Sequence, residues 1–329
     1  MGIENGLDPA VIDRAARHIV AGELVAFATE TVYGLGARAD DEQAVARIFA
    51  AKGRPADHPL IVHVSDAAAV ANFADDVPAS ARQVMQTFWP GPVSVVLRRR
   101  PQMARAAAGG LPTLALRCPS HPVAQALLRR CAELGVPGIA APSANRFGRV
   151  SPTRASHVLQ EFGAQLMVLD GGPCEEGIES AIIDCSTDAP RLLRPGSLPR
   201  ERLQAALGLT LGDARAGSPR VSGSLESHYA PDAELCLAAA DDMATVVAAC
   251  QQRHGAAAVA VLARECPPGI ASDAFVVMPD NAAQAARELF DTLRRFDAAG
   301  RRAVCIETPP EDSLWEGVRD RLRRAAAPR

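Results

Sequence analysis

The chain has 329 residues, with 48% hydrophobic and 22% charged side chains and a formal net charge of −3. This ordinary globular composition excludes a disordered chain and a polycation built to coat a phosphate backbone. At about 150 residues per domain, the length favours two domains.

Residues 1–6 lack a basic, then apolar leader, and no apolar run approaches a bilayer span, so a cytoplasmic protein without membrane attachment is expected. Residues 8–22 read as an amphipathic helix closed by Gly22, and 24–28 as a short apolar strand running into a polar, glycine-containing turn, 29–36. Asp40 stands where it can cap a second helix, with Gln43 three residues on and Gly53 at its end. Strands are predicted at 60–64, 92–97, 113–117, 138–141, 166–169 and 181–184, with helical segments between several of them. The alternation predicts an α/β layer architecture.

Residues 208–231 break the pattern: they hold four Gly, four Ser and two Pro, the composition of a linker or a functional loop. Beyond them strands at 235–238, 257–262, 275–278 and 303–306 alternate with helices at 241–253, 281–299 and 313–326, as in a small doubly wound domain. The expected division is therefore 1–207 for the part that carries chemistry, 208–231 for the linker, and 232–329 for a lid, scaffold or interaction domain.

Familiar catalytic signatures are missing. There is no Walker loop, no Gly-x-Ser-x-Gly elbow and no His-Glu-x-x-His, and the eight cysteines form no Cys-x-x-Cys pair. That argues against a conventional hydrolase or zinc enzyme, and no protein side chains are expected to ligate a metal directly.

Several clusters remain. Thr29-Glu30-Thr31-Val32-Tyr33-Gly34-Leu35-Gly36 follows a strand, where hydroxyls and permissive glycines form either a ligand crevice or a polar turn. Lys52-Gly53-Arg54-Pro55 is followed by His58 and His63. Two cations separated by one glycine can meet an anion together, or merely answer a helix dipole. Lys52 is the one lysine among 35 basic residues, either by chance or because guanidinium will not replace a compact ammonium there. Ala141-Pro142-Ser143-Ala144-Asn145 and Ser151-Pro152-Thr153 lead toward a helix near Arg154, as an anion site or as simple capping, which accounts for part of 151–153. Glu179-Ser180-Ala181 and Arg194-Pro195-Gly196 flank another strand, and Ser227-His228-Tyr229-Ala230-Pro231 closes the linker.

Taken in order, these clusters resemble the two-domain threonylcarbamoyl-adenylate synthases, whose catalytic part is the YrdC-type domain. Lys52 and both tyrosines, Tyr33 and Tyr229, fall inside the shared motifs. The resemblance implies a YrdC-like twisted mixed sheet with helices, plus a small Rossmann-like C-terminal α/β domain. It implies a nucleotidyltransferase that turns L-threonine, bicarbonate (or CO2) and ATP, with Mg²⁺, into threonylcarbamoyl-AMP and pyrophosphate. That product feeds downstream tRNA threonylcarbamoyl-transfer proteins; tRNA binding by the chain itself is expected to be weak. By motif, Lys52 and Arg54 would be catalytic, sitting on the triphosphate. Arg54, His58, Thr113, Ser143, Asn145, Ser151, Arg194 and Tyr229 would bind ATP. Thr31, His63, Arg117, Ala141 and Ser180 would hold threonine, and the linker would fold over the cleft.

The chain departs from the family pattern at Ala28, where proline is common, at His58 for asparagine and at Ala181 for threonine. It also departs at 221–226, where basic residues are usual. A tRNA or double-stranded-RNA-binding module without its own catalysis is the alternative reading. A carbamoyl-transfer enzyme of the hydrogenase-maturation type is disfavoured, because its zinc-finger and acylphosphatase-like parts are absent.

Overall fold

A computed structural model describes residues 2–223 and 225–328, so Ser224 of the linker lies outside the described residues. The first helix, Pro9–Val20, starts where the Asp8 carboxylate accepts the Ala10 N–H and a proline fills the first turn. The second, Glu42–Lys52, is capped by Asp41 rather than by Asp40. Asp41 accepts from the Gln43 and Ala44 N–H groups, whereas Asp40 pairs with Arg38. Gly53, at φ 63°, ends that helix in the left-handed region and turns the chain between Lys52 and Arg54.

Among the described residues eleven strands form the large sheet. They are β1 (Gly2–Asn5), β2 (Val25–Phe27), β3 (Gly34–Arg38), β4 (Ile61–His63), β5 (Val93–Arg98), β6 (Thr113–Arg117), β7 (Ile139–Ala140), β8 (Met167–Asp170), β9 (Ala181–Asp184), β10 (Arg191–Arg194) and β11 (Gly212–Asp213). Their spatial order is β1-β8-β2-β3-β7-β4-β6-β5-β9-β10-β11, with parallel and antiparallel neighbours mixed. The glycine-containing stretch expected to turn is therefore a strand from Gly34 onward. Gly36 is there for lack of room: a Cβ would stand 2.8 Å from both Ile139 Cγ2 and Phe27 Cε1.

A second, wholly parallel sheet has the order β12-β15-β13-β14: β12 (Glu234–Ala238), β13 (Val259–Ala263), β14 (Phe275–Val277) and β15 (Ala303–Glu307). Helices Met243–His254, Ala282–Ala298 and Glu316–Ala326 cover it. Between residues 208 and 231 only β11 is regular among the described residues. No described helix is long and apolar enough to cross a membrane.

The two units share more than a tether. The core of the small unit, around Phe290, Leu293 and Ile306, continues through Tyr229 of the linker and Ile178, Val150 and Val32 of the larger unit. At two points main chain abuts main chain: a Cβ on Gly177 would stand 2.3 Å from Arg287 Cα, and one on Gly317 2.2 Å from the Gly196 carbonyl oxygen.

Candidate active site

The cleft is built on one face of the large sheet. Ile61 and His63 alternate to the same side of β4, and the parallel register sets Arg117, last residue of β6, directly beside His63. The segment after β7 folds back so that Ser143 bridges Gly34, while Ser180 sits at the mouth of β9. Together with the linker they line a narrow cavity of about 30 Å³.

On one side the polar groups are held by each other. Arg117 donates through Nη1 to Thr31 Oγ1 at 2.8 Å and through Nε to the Gly91 carbonyl, and its Nη2 lies 2.7 Å from Glu30 Oε1. That last approach is too oblique for a hydrogen bond, so it is an ion pair, with both side chains 4% exposed. Of five guanidinium N–H groups two are hydrogen-bonded and three, both on Nη2 among them, are not. Burial, with the Arg117 charge next to it, pushes His63 down to about 3, so its imidazole is neutral. Ser180 Oγ pairs with Ser94 Oγ at 2.9 Å.

The other side is cationic and unbalanced. Lys52 is buried and donates through Nζ to the carbonyls of Ser143 and Asn145. Arg54 donates to the Pro59 carbonyl, and Arg194 to the Ser180 and Ser222 carbonyls. Among the described residues none of the three has a carboxylate in ion-pair range, although each is 7% exposed or less. Burial and the neighbouring Arg54 hold Lys52 well below the usual lysine range, and burial brings Arg54 to about 10. All three cations act on His228: burial is the leading cause that holds it at about 3, and their fields work against the opposing charge of Glu179. Around them His228 Nδ1, Tyr229 Oη, Arg54 Nε and Asn145 Oδ1 are buried with no hydrogen-bond partner among the described residues. Orphaned polar atoms gathered in one place mark a site that a ligand completes.

The comparisons with known proteins bear on the whole chain. The family model described as telomere recombination (Sua5, YciO, YrdC) matches residues 17–196, and the threonylcarbamoyl-AMP synthase C-terminal domain matches 198–327. The threonylcarbamoyl-AMP synthase of Bacillus subtilis is 38% identical over 98% of this chain and 94% of its own. The chain belongs to the threonylcarbamoyl-AMP synthase family. Two solved structures of Pyrococcus abyssi Sua5, one a variant and one complexed with L-threonine, superpose with TM-scores of 0.91 and 0.89 at 35% and 36% identity. Each covers 99% of this chain and 96% of the other.

Of the residues singled out by the synthase resemblance, Thr31, His63, Arg117, Ala141, Ser143, Ser180, Arg194 and Tyr229 line the cavity. Lys52 and Arg54 stand behind its wall, coupled to it through Ser143, Asn145 and His228. His58 packs on Phe147 with ring centroids 5.5 Å apart, and Arg54 lies over the other reach of that ring at 5.6 Å. Asn145 spends its Nδ2 on the Arg146 and Arg149 carbonyls. Thr113 opens the strand that Arg117 closes, about 13 Å away at strand rise, and does not line this cavity. Ser151 and Thr153 do not cap the helix Ala155–Phe162: its first turn has no side-chain cap, and the Ser151 hydroxyl goes to Glu179.

Glu30 as the partner of Arg117, Glu179, and the imidazole of His228 at the cationic centre were not assigned roles from sequence. Each stands in a cluster that the sequence singles out, Glu30 as the carboxylate of 29–36, Glu179 before Ser180 and His228 beside Tyr229, but their partners could not be read there.

Proposed function

We propose that this chain is an L-threonylcarbamoyladenylate synthase, joining L-threonine, bicarbonate or CO2 and ATP into threonylcarbamoyl-AMP with release of pyrophosphate. The observation that carries this reading is the set of three buried cations, Lys52, Arg54 and Arg194, none of which has a carboxylate in ion-pair range among the described residues, Glu179 being engaged by Ser151 and Arg321. Buried charge left uncompensated is costly, and a polyanion is the ligand that relieves it. The paired side of the cleft suits a zwitterion. Arg117 offers its unbonded N–H groups to the amino acid's carboxylate, and neutral His63 offers an unpartnered Nδ1.

In the proposed reaction threonine's amine captures CO2, and a carbamate oxygen attacks the α-phosphorus as pyrophosphate departs. The cations lower the repulsion between two anions and stabilise charge moving onto the leaving group. No residue need shuttle a proton at the phosphorus, in keeping with histidines that stay neutral, and rate comes from placement and field. His228 occupies the point where the three cations meet, so polyphosphate and imidazole compete for it. The linker must withdraw to admit ATP and can then close over a labile carbamate.

Mg²⁺ is proposed to arrive on the triphosphate. Among the described residues no group of three or more His, Cys, Asp or Glu side chains could hold a metal ion. Glu179, which lines the cavity, has its two oxygens engaged by Ser151 and Arg321. We further propose that the product serves tRNA modification in the cytoplasm, handed to transfer proteins that bind tRNA themselves.

Incubation with labelled threonine, bicarbonate, ATP and Mg²⁺ tests the assignment. The expected result is threonine- and bicarbonate-dependent pyrophosphate release and a labelled mixed anhydride. Tight tRNA binding with no pyrophosphate release would replace it with the RNA-binding module.

A further inference from the structure

The last helix of the small unit, Glu316–Ala326, reads from its sequence as a basic, solvated surface helix, with Arg319, Arg321, Arg323 and Arg324 in close succession. Arg321 is nevertheless fully buried, at 0% exposure. Its Nε donates to Glu179 Oε2 at 2.8 Å, its Nη2 to the Glu179 carbonyl oxygen at 3.1 Å, and its Nη1 to Asp320 Oδ2 at 2.8 Å. The guanidinium carbon lies 5.3 Å from the centroid of the Tyr229 ring. Glu179 passes the contact on, because its Oε1 accepts from Ser151 Oγ at 2.5 Å.

The grip on Ser151 has a second jaw. Arg294, from the helix Ala282–Ala298 of the same small unit, donates to the carbonyls of Val150 and, at 3.4 Å, Ser151, while Glu161 holds its charge at 2.8 Å. The small unit thus reaches both the hydroxyl side and the main chain of one segment, which joins the cavity wall through Glu179.

The balance of charge shows why Arg321 matters beyond packing. Burial pushes the Glu179 carboxyl upward, and the charges of Arg321 and then Arg194 outweigh it, keeping the group below the usual glutamate range. Without Arg321 the carboxylate would be drawn toward Arg194 or toward protonation. Ser151 would then lose a charged acceptor and Tyr229 the cation over its ring.

We infer that Arg321 is a positioning residue for the nucleotide side of the cleft, supplied by the C-terminal unit and acting through Glu179 on Ser151 and Tyr229. This rests on the reading of the cleft given above. The small unit thereby gains a chemical role, since it completes the buried ion network of a site in which it has no cavity-lining residue among those described.

The test uses the full chain with Arg321→Lys and Arg321→Gln. Pyrophosphate release is measured against ATP at saturating threonine and against threonine at saturating ATP, with calorimetric ATP binding as a readout independent of turnover. Arg321→Gln is expected to raise the KM for ATP 10-fold or more while the KM for threonine stays within twofold, because the Arg117 pocket is untouched. Arg321→Lys, which keeps the charge and the fold but loses the two-pronged hold on Glu179, is expected to fall between. A merely structural role would lower the active fraction and leave both KM values alone. Unchanged KM values, or both rising together, in whichever of the two variants folds would overturn the inference. A wild-type chain that is active beside indifferent Arg321 variants refutes this inference alone. A wild-type chain that neither turns over nor binds ATP refutes the synthase reading and this inference with it.

Discussion

The two sides of the cleft solve the same problem, keeping charge away from water, in opposite ways. Arg117 is buried against a carboxylate that the fold itself supplies, Glu30, which stands just beyond β2 of the same sheet, with three strands between β2 and β6. Lys52, Arg54 and Arg194 come from a helix end, a loop and a strand remote in sequence, and lean only on carbonyl oxygens and one hydroxyl. The first arrangement is balanced in charge but keeps polar atoms, Arg117 Nη2 and His63 Nδ1, free for a ligand; the second is unbalanced, and the missing part is an anion. A charge that costs stability in the empty protein is therefore a clue to what fills it.

The sharpest way to break this comparison is to neutralise the unbalanced side. Lys52→Met is expected to cut pyrophosphate release by about 10³-fold, in the range of lost electrostatic stabilisers, while Tm holds steady or rises. A marked fall in Tm would mean that Lys52 is a structural group whose carbonyl contacts the fold needs. Arg117→Met should do the reverse, stranding Glu30 and costing about 3–5 kcal/mol of stability in chemical denaturation, with much of that recovered in Arg117→Met/Glu30→Gln. Absence of such recovery would show that the pair is not coupled.

A smaller effect follows from His63 and His228, both held at about 3 against 6.5 in an exposed histidine. Above pH 6.5 both states of the chain carry them neutral and the stability is fully present. Between 6.5 and 3 the unfolded chain binds protons that the folded chain refuses, so stability drains as pH falls. Tm should decline from pH 7 to 5, and His63→Asn/His228→Asn should flatten that decline. Smallest of all is a proton count. Lys52, depressed in the empty cleft, should take up a fraction of a proton when ATP binds at alkaline pH. Calorimetric enthalpies would then depend on the buffer's heat of ionisation, and the dependence should vanish in Lys52→Met.

Much of the scaffold was legible beforehand, because it rests on local rules. The helix stop at Gly53, the strand Thr113–Arg117 and the alternation of the small unit all follow from propensity and periodicity. What escaped was set by distant partners. Residues 34–36 read as part of a turn because glycines usually confer flexibility, whereas Gly36 is fixed by the closeness of Phe27 and Ile139. Strands β1, β10 and β11 were not anticipated, because they lack a clean alternation or an apolar run. The cleft's hydroxyls and cations could be picked out by motif resemblance, yet Glu30, Glu179 and Arg321 could not. Lone charged residues in a sequence look solvated until a partner 87 or 142 positions away is brought against them.

The seam at Gly177 and Gly317 has a mechanical corollary. Where one backbone rests on another there is no rotamer to swing aside, so the joint transmits force without slack and the two sheets travel as a single block. Traffic in and out of the cleft then falls to the loosely structured tether between them, and a lone added methyl at either glycine would act as a wedge driven into the hull.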